Sequence, residues 1–390
     1  DVKGKVVLVI VNEPPSNDAK FFNGPALTYY GRWVYKFEQA ARQGAVGALI
    51  IHRTDLASYG WEVVRNSWSN EQVYLREDRD PKLEAASWIQ LDVARRLFAG
   101  AGLDLQAMIT AAGERGFRAR ELPLRFKAHT VSRVRSFESP NVLAMLPGAA
   151  ANPVQAVLYS AHYDHLGIDP SLKGDPIFNG AVDNATGCGM LLEIARAFAA
   201  LGHKPPQPVL FAAVTAEEKG LLGSNYLGKH LPLPAREVTL GLNFDAIMPE
   251  GIPESVNVTG AERTSFYPTV RKTARAFGLE ILPDAEPGAG YYYRSDHFSL
   301  ARQGIPAFSI EEGSKYRDHP LEWGVKLHER YTRENYHQPG DEYRPQMDFT
   351  ANAMMTRFGL ALGWQAMEER TRISWNPGDE FEAARQRSLR

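Results

Sequence analysis

The 390-residue sequence contains one cysteine, Cys188, so no disulfide can form within the chain. That excludes a small disulfide-stapled scaffold and leaves the compartment open, because exported proteins need not carry disulfides. No apolar run reaches the roughly 20 residues needed to cross a bilayer. Neither sign of charge prevails: 44 Lys and Arg stand against 46 Asp and Glu, a formal net charge of −2. Bulk charge therefore gives no pull toward nucleic acid or an anionic membrane surface. No G-x-S-x-G nucleophile elbow occurs. "TGCGMLL" starts like a dinucleotide fingerprint, but Leu192 stands where the third glycine belongs. The sequence starts at Asp1, and "DVKGKVVLVIV" reads at once as a strand, as expected of a chain that begins inside a longer gene product. The expectation is a periplasmic or secreted protein whose export signal lies outside this sequence.

What remains is an ordinary globular composition, 44% hydrophobic and 23% charged, long enough for two domains with separate cores. The character changes between residues 120 and 150, which divides the chain into 1–125 and 126–390. In the first part, "KGKVVLVIVNEPP" reads as a strand stopped by prolines, residues 31–43 as a helix stopped near Gly44, and "GALIIH" as a strand. Asp92 starts a further helix, and "ELPLRFKAHTVSRVRSFESPNVLAMLPG" reads as paired strands.

From there strands and helices alternate. "PVQAVLYSAH", "QPVLFAAVTA", "EVTLGLNFDAIM" and "IPAFSI" are strands separated by helical stretches, and "DFTANAMMTRFGLALGWQAMEER" is a long closing helix. This predicts an α/β architecture with a mostly parallel mixed sheet between helices, its apolar strands buried on both faces. The last twenty or so residues are polar and are expected to be loosely held.

Such sheets bind ligands beyond the carboxyl ends of their strands. His162 and Asp164 follow the first strand, in "YSAHYDHLG"; Glu217 and Glu218 follow "LFAAVTA"; Asp245 ends "TLGLNFD". Asp183 lies in "NGAVDNATG" just before a helix, and His337 in the late loop "NYHQPGDEY". Taken singly, each has an ordinary explanation. Asp183 serves as a helix cap, the Glu pair as a solvated helix start favoured by the dipole, His337 as a surface histidine. These explanations do not account for successive strand ends all carrying metal-type ligands.

"SAHYDHLG", "GAVDNATG", "TAEEKGLLGS", "NFDAI" and "NYHQPGDEY" occur in the order found in the zinc exopeptidases of metallopeptidase family 28. The resemblance covers roughly residues 126 to 370. "YKFEQAARQGAVGALIIH" resembles part of the protease-associated domain often inserted in such enzymes, which implies a β-rich α+β first domain. Carried over residue by residue, the resemblance implies two Zn²⁺ per chain bridged by Asp183, one completed by His162 and Asp245, the other by Glu218 and His337. Imidazole and carboxylate suit zinc, and a paired site can share one carboxylate and one water. Glu217 is the implied general base. Asp164, two residues beyond His162 on an extended segment, is expected to accept the other ring N–H of His162. His165 is expected to pack or bond locally.

Tyr336 precedes the last His, as in several relatives, and "YRSDHFSL" resembles a segment that supplies an Arg near the substrate carbonyl, nominating Arg294. Asp296 and His297 are expected to be structural; Tyr291, Tyr292 and Tyr293 either line a side-chain pocket or pack. The resemblance implies an aminopeptidase acting on peptides. A one-zinc glutaminyl cyclase and a glutamate-type carboxypeptidase use the same scaffold, and a receptor-like protein without catalysis is a further alternative. Relatives carrying an inserted protease-associated domain begin with a catalytic-domain segment, and none precedes Asp1. The catalytic unit is therefore expected to lack a helix or strand over part of its core while keeping every ligand.

Overall fold

The structure, a computed structural model, describes residues 2–22, 24–150 and 155–390. It divides into two compact units. The smaller comprises Asp1–Arg65, Arg76–Glu138 and Ala285–Tyr293, and the larger comprises Asn66–Leu75, Ser139–Asp284 and Arg294–Arg390. Residues 126–138 thus group with the smaller unit, and Asn66–Leu75 with the larger, where the sequence drew a single cut after residue 125.

In the smaller unit, β1 (Val6–Ile10), α1 (Trp33–Arg42), β2 (Gly47–Ile51), β3 (Ala85–Ile89) and α2 (Leu91–Gly100) follow in order. The strands form one sheet, β1-β2-β3, with both pairings parallel. Parallel neighbours need a crossover at each step, so much of the chain goes into helices and connections. The unit is therefore poorer in strand than the expected β-rich α+β domain. Helix α1 stops where Gly44 takes a φ of 78°. Ile51, Ala94, Phe98 and Leu105 make one small core and Ala40, Ala45 and Ala48 another. Tyr292 and Tyr293 are buried here edge to face, 5.4 Å apart, with Tyr293 6.0 Å from Tyr29. Packing explains these two; Tyr291 is exposed and its hydroxyl donates to Glu286 Oε2 at 2.7 Å.

The paired strands expected over "ELPLRFKAHTVSRVRSFESPNVLAMLPG" do not form. Only β4 (Val142–Leu146) is a strand, and Val131 and Val134 lie exposed. Alternation records a β preference, but a strand exists only where a neighbour accepts its ladder.

The larger unit continues with β5 (Ala156–His162), α3 (Gly187–Ala199), β6 (Val209–Val214), α4 (Leu222–Lys229), β7 (Val238–Phe244) and β8 (Ser255–Asn257). Then come α5 (Tyr267–Ala276), β9 (Glu280–Ile281), α6 (His297–Arg302), β10 (Ala307–Glu312), α7 (Leu321–Glu334), α8 (Thr350–Glu368) and α9 (Glu382–Ser388). Its seven-stranded sheet has the order β9-β8-β10-β7-β5-β6-β4. The β5–β6, β5–β7, β7–β10 and β8–β9 pairings are parallel, while β4–β6 and β8–β10 are antiparallel. This is the mostly parallel mixed sheet between helices that the alternation predicts.

Both faces are covered. Val157, Tyr159 and Ala161 of β5 pack with Ile194 of α3, Val270 of α5 and Phe358 of α8. Ala156 and Leu158 point the other way, toward Leu227 of α4 and Leu300 of α6. Each fully buried aliphatic side chain contributes about 1.5–3 kcal/mol, so the continuous apolar runs are the sheet's main source of stability. No helix among the described residues is long and apolar enough to span a membrane.

The C-terminal stretch is not loosely held. Ile373, Trp375, Phe381 and Arg385 are buried; Trp375 Nε1 donates to Gly304 O at 3.0 Å and Arg385 Nη1 to Ala235 O at 3.0 Å. Its polar composition concealed a few anchoring side chains spaced along it.

Candidate metal centre

The adjacent parallel strands β7, β5 and β6 end on one edge of the sheet. His162 is the last residue of β5, Asp245 follows β7, and Glu217 and Glu218 lie just beyond β6. Ala216 and Ala246 each take a φ of 53°, and His337 a φ of 54°. The left-handed region costs a non-glycine residue about 1–3 kcal/mol, and here it turns the chain sharply beside Glu217, beside Asp245 and at His337 itself.

Asp183 reaches the same edge from the loop before α3. Both glycines of "GAVDNATG" are required: Gly180 has a φ of 66°, and a Cβ on Gly187 would lie 2.2 Å from Asn184 Oδ1. Asn184 is buried, with Nδ2 donating to Phe244 O at 2.9 Å and Oδ1 accepting from Gly187 N at 3.0 Å. The carboxylate of Asp341 accepts from Val182 N and Asp183 N, both at 3.0 Å, and from Tyr331 Oη at 3.2 Å. The loop is thus tied at both ends around Asp183.

The five expected ligands converge. His162 Nε2 lies 3.2 Å from Asp183 Oδ1 and 3.1 Å from Asp245 Oδ1. His337 Nε2 lies 3.4 Å from Asp183 Oδ2 and 3.0 Å from Glu218 Oε2. Asp183 therefore turns one oxygen to each imidazole. Among the described residues, two groups of potential donors come within metal-binding range: His162, Asp183 and Asp245, and His165, Asp183 and Glu218. His165 enters through Nδ1, 2.7 Å from Glu218 Oε1, a closer involvement than its expected local role. The second His of "HYDH" was the signal for it.

The outer nitrogen of each expected ligand imidazole is also held. His162 Nδ1 donates to the backbone carbonyl of Asp164 at 3.1 Å, while the nearest Asp164 carboxylate oxygen is 3.8 Å away. The carboxylate instead accepts from Glu217 N at 3.1 Å and Glu218 N at 3.4 Å. Asp164 thus serves His162 through its main chain and braces the next strand's loop with its side chain, a correction to the expected pairing. A carbonyl can only accept, so Nδ1 carries a proton and Nε2 faces the carboxylates. His337 Nδ1 meets Ser67 Oγ at 2.8 Å. Asp245 Oδ2 accepts from Ser295 Oγ at 2.5 Å, and Asn243 Nδ2 donates to Ser295 Oγ at 2.7 Å. The Asp164 carbonyl fixes the tautomer of His162, while Ser67 and Ser295 hold the His337 ring and the Asp245 carboxylate in place, as a metal site requires. Ser67, Ser295 and Asp341 were not singled out from sequence; the last two lie inside quoted motifs, whereas nothing marks Ser67.

Charge is concentrated here. Burial works against ionisation of Glu218, but the His337 charge outweighs it and brings the carboxyl down to about 2. Burial likewise disfavours charge on His337, which Glu218 and Asp183 override, pushing it up to about 10. Without metal the imidazoles supply the positive charge that three crowded carboxylates demand. Glu217 is held well above the usual carboxylate range by burial and then by the negative charge of Glu218, Asp245 and Asp296. The donor set fits metal ions of zinc type: two imidazoles with inward nitrogens, two terminal carboxylates and a third between them.

Tyr336 stacks its ring at a 31° tilt against His337, centroids 4.0 Å apart. Arg294 lies near enough for its charge to favour ionisation of that phenol, which burial and Asp183 oppose. Asp296 and His297 are buried in the larger unit, consistent with a structural role. Cys188 is half-buried in α3 and its thiol donates to His162 O at 3.1 Å.

The model of Peptidase family M28 matches residues 141–361. The chain belongs to peptidase family M28. Among curated relatives, a probable leucine aminopeptidase of Trichophyton verrucosum (strain HKI 0517) is 29% identical over 240 residues, covering 59% of this chain and 54% of that protein. The chain spans about half the length of the curated relatives it matches. Among solved structures, the aminopeptidase from Aneurinibacillus sp. strain AM-1 aligns over 96% of this chain and 71% of its own, with TM-score 0.48 and 18% identity. Porphyromonas gingivalis glutaminyl cyclase aligns over 59% of this chain and 77% of its own, with TM-score 0.41 and 18% identity. Likenesses this loose do not bear on function. All five motifs, from "SAHYDHLG" to "NYHQPGDEY", fall within the matched M28 span.

Proposed function

We propose that this M28 chain is a two-zinc aminopeptidase that removes N-terminal residues from peptides. One observation carries the reading: Asp183 offers one oxygen toward His162 and the other toward His337. His162 and Asp245 would hold one ion, Glu218 and His337 the other, with Asp183 shared between them. Bound there, zinc would polarise the scissile carbonyl and lower the pKa of a water. Glu217 would take a proton from the attacking water and hand it to the leaving amine. Its carboxylate can act as a base only when the negative charge around it is neutralised, which ties its role to the same cluster. Tyr336 and Arg294 supply hydrogen-bond donation and positive charge toward the developing oxyanion; one such donor is worth roughly 3 kcal/mol of barrier. His165 keeps Glu218 oriented through the bond to its second oxygen. The smaller unit we read as a protease-associated domain, on its strand–helix–strand sequence alone.

The test is hydrolysis of a panel of aminoacyl-p-nitroanilides by the full chain and by Glu217→Ala, with and without chelator. Turnover lost to chelation, restored by Zn²⁺ and reduced at least about 10²-fold in the variant is the expected result. Undiminished turnover by the variant removes Glu217 from this role. Cyclisation of N-terminal Gln by a chain holding one zinc would replace the peptidase reading with the cyclase one.

A further inference from the structure

We infer that the stretch Asn66–Leu75 is a clasp that completes the second metal position, with Ser67 the positioning residue for His337. The inference rests on the two-zinc reading. His337 is gripped at two points: Ser67 Oγ meets its ring Nδ1 at 2.8 Å, and Asn66 Nδ2 donates to its backbone carbonyl at 2.8 Å. Ser67 is only 5% exposed and His337 8%, so the contact is interior and water cannot readily replace it.

The same stretch also holds the loop that carries Glu218. Lys219 Nζ donates to Asn70 Oδ1 at 2.8 Å and to Ser67 O at 3.3 Å. The stretch is braced within itself: Asn70 Nδ2 donates to Asn66 O at 3.2 Å, and Gln72 Nε2 to Ser67 O at 3.2 Å and Asn70 O at 3.1 Å. One short segment thus ties together the two loops whose side chains, Glu218 and His337, face each other at 3.0 Å. No comparable contact from this segment reaches His162 or Asp245 among the hydrogen bonds described.

The chemistry follows from the ring. With Ser67 accepting from Nδ1–H, the lone pair of His337 lies on Nε2, toward Glu218 and Asp183. An accepting hydroxyl also raises the basicity of the inward nitrogen. His337 takes a left-handed φ of 54°, a conformation that persists only where surroundings enforce it. Two bonds from Asn66 and Ser67 are such an enforcement. Ordinary packing would explain burial of the segment, but not polar attachment to the ring, to the main chain of the same residue and to the neighbouring ligand loop.

The experiment uses the full chain stripped of metal and titrated with Zn²⁺ against a chromophoric competitor, repeated with Co²⁺ to record the visible spectrum of each position. Wild type should take two ions. Ser67→Ala should bind one as wild type does and the other about 10–100-fold more weakly, with an altered spectrum for that ion only. Ser67→Thr, which keeps the hydroxyl, should stay near wild type. Unchanged binding of both ions by Ser67→Ala overturns the inference, as does an equal loss in Ser67→Ala and Ser67→Thr. So does a metal-free melting temperature lowered as far as that of the loaded variant, which would mean general destabilisation. Wild type binding fewer than two ions defeats the two-zinc reading itself, and the clasp with it.

Discussion

The side chain of Asp341 holds the backbone amide of Asp183 at 3.0 Å, so one buried carboxylate orients the residue that carries another. It also accepts from Val182 N and from Tyr331 Oη. Asp341→Ala would leave both amides without their acceptor in the interior, at about 1–3 kcal/mol each. Denaturant melts of the metal-free chain should record that loss, and zinc affinity should fall with it. A variant as stable as wild type would show that the loop holds its shape unaided.

Asp164 offers a discriminating substitution, because its two functions reside in different atoms. Asp164→Ala keeps the backbone carbonyl that accepts from His162 but removes the acceptor for the amides of Glu217 and Glu218. Anomalous diffraction from a zinc-loaded variant should find the His162–Asp245 position filled and the Glu218–His337 position depleted. Depletion at His162 instead would restore the carboxylate–imidazole pairing expected from sequence.

Tyr336→Phe retains the ring against His337 and deletes only the hydroxyl. Turnover should drop about 10²-fold with metal content unchanged, the size of a lost oxyanion donor. A variant with normal kcat would reduce Tyr336 to packing.

Glu312 is not among the expected ligands and serves as a probe of pH dependence. Burial holds its carboxyl well above the ordinary value of 4.5, while Oε1 accepts from Met248 N at 3.1 Å. The folded chain therefore keeps a proton that the unfolded chain releases. The contribution is fully present below pH 4.5 and declines as pH rises toward the folded pKa. Glu312→Gln, which cannot ionise, should lose less stability than wild type on going to alkaline pH. Well above pH 6.5, His328, pushed down to about 4 by burial, is neutral in both states and does not confuse the comparison. Parallel pH profiles of stability for the two proteins, from urea melts taken from pH 5 upward, would contradict the assignment.

Trp375 tests the C-terminal stretch. It is 3% exposed and its indole N–H donates to Gly304 O. Trp375→Ala should cost about 3–5 kcal/mol, the range for a buried aromatic. A loss below about 1 kcal/mol would mean that the stretch is as loosely held as its composition suggested.

The larger unit was legible because a strand buried on both faces must be apolar along its whole length. "AVLYSAH", "VLFAAV" and "TLGLNF" could be located by composition alone, and the candidate ligands at their ends stood out against those runs. Less could be read where structure depends on a neighbour. The alternation over residues 124–137 is as strand-like as any in the chain, yet residues 126–138 form no strand. Likewise, "HYDH" announces four polar side chains but does not say which atom of Asp164 meets His162, a difference of 0.7 Å between 3.1 and 3.8 Å.

The sequence by itself determined the sheet, the helices over it and the order of the loops that carry the candidate ligands, because periodicity and apolar runs are local properties of the chain. Only the tertiary structure decided what stands behind the proposed ligands: Ser67 on His337, Ser295 on Asp245, Asp341 on the Asp183 loop. Ser67 lies 270 positions from its imidazole, and a serine hydroxyl looks the same in sequence whether it meets water or a buried ring nitrogen. Such partners are chosen by the folding of distant segments onto one another, and no local pattern records that choice.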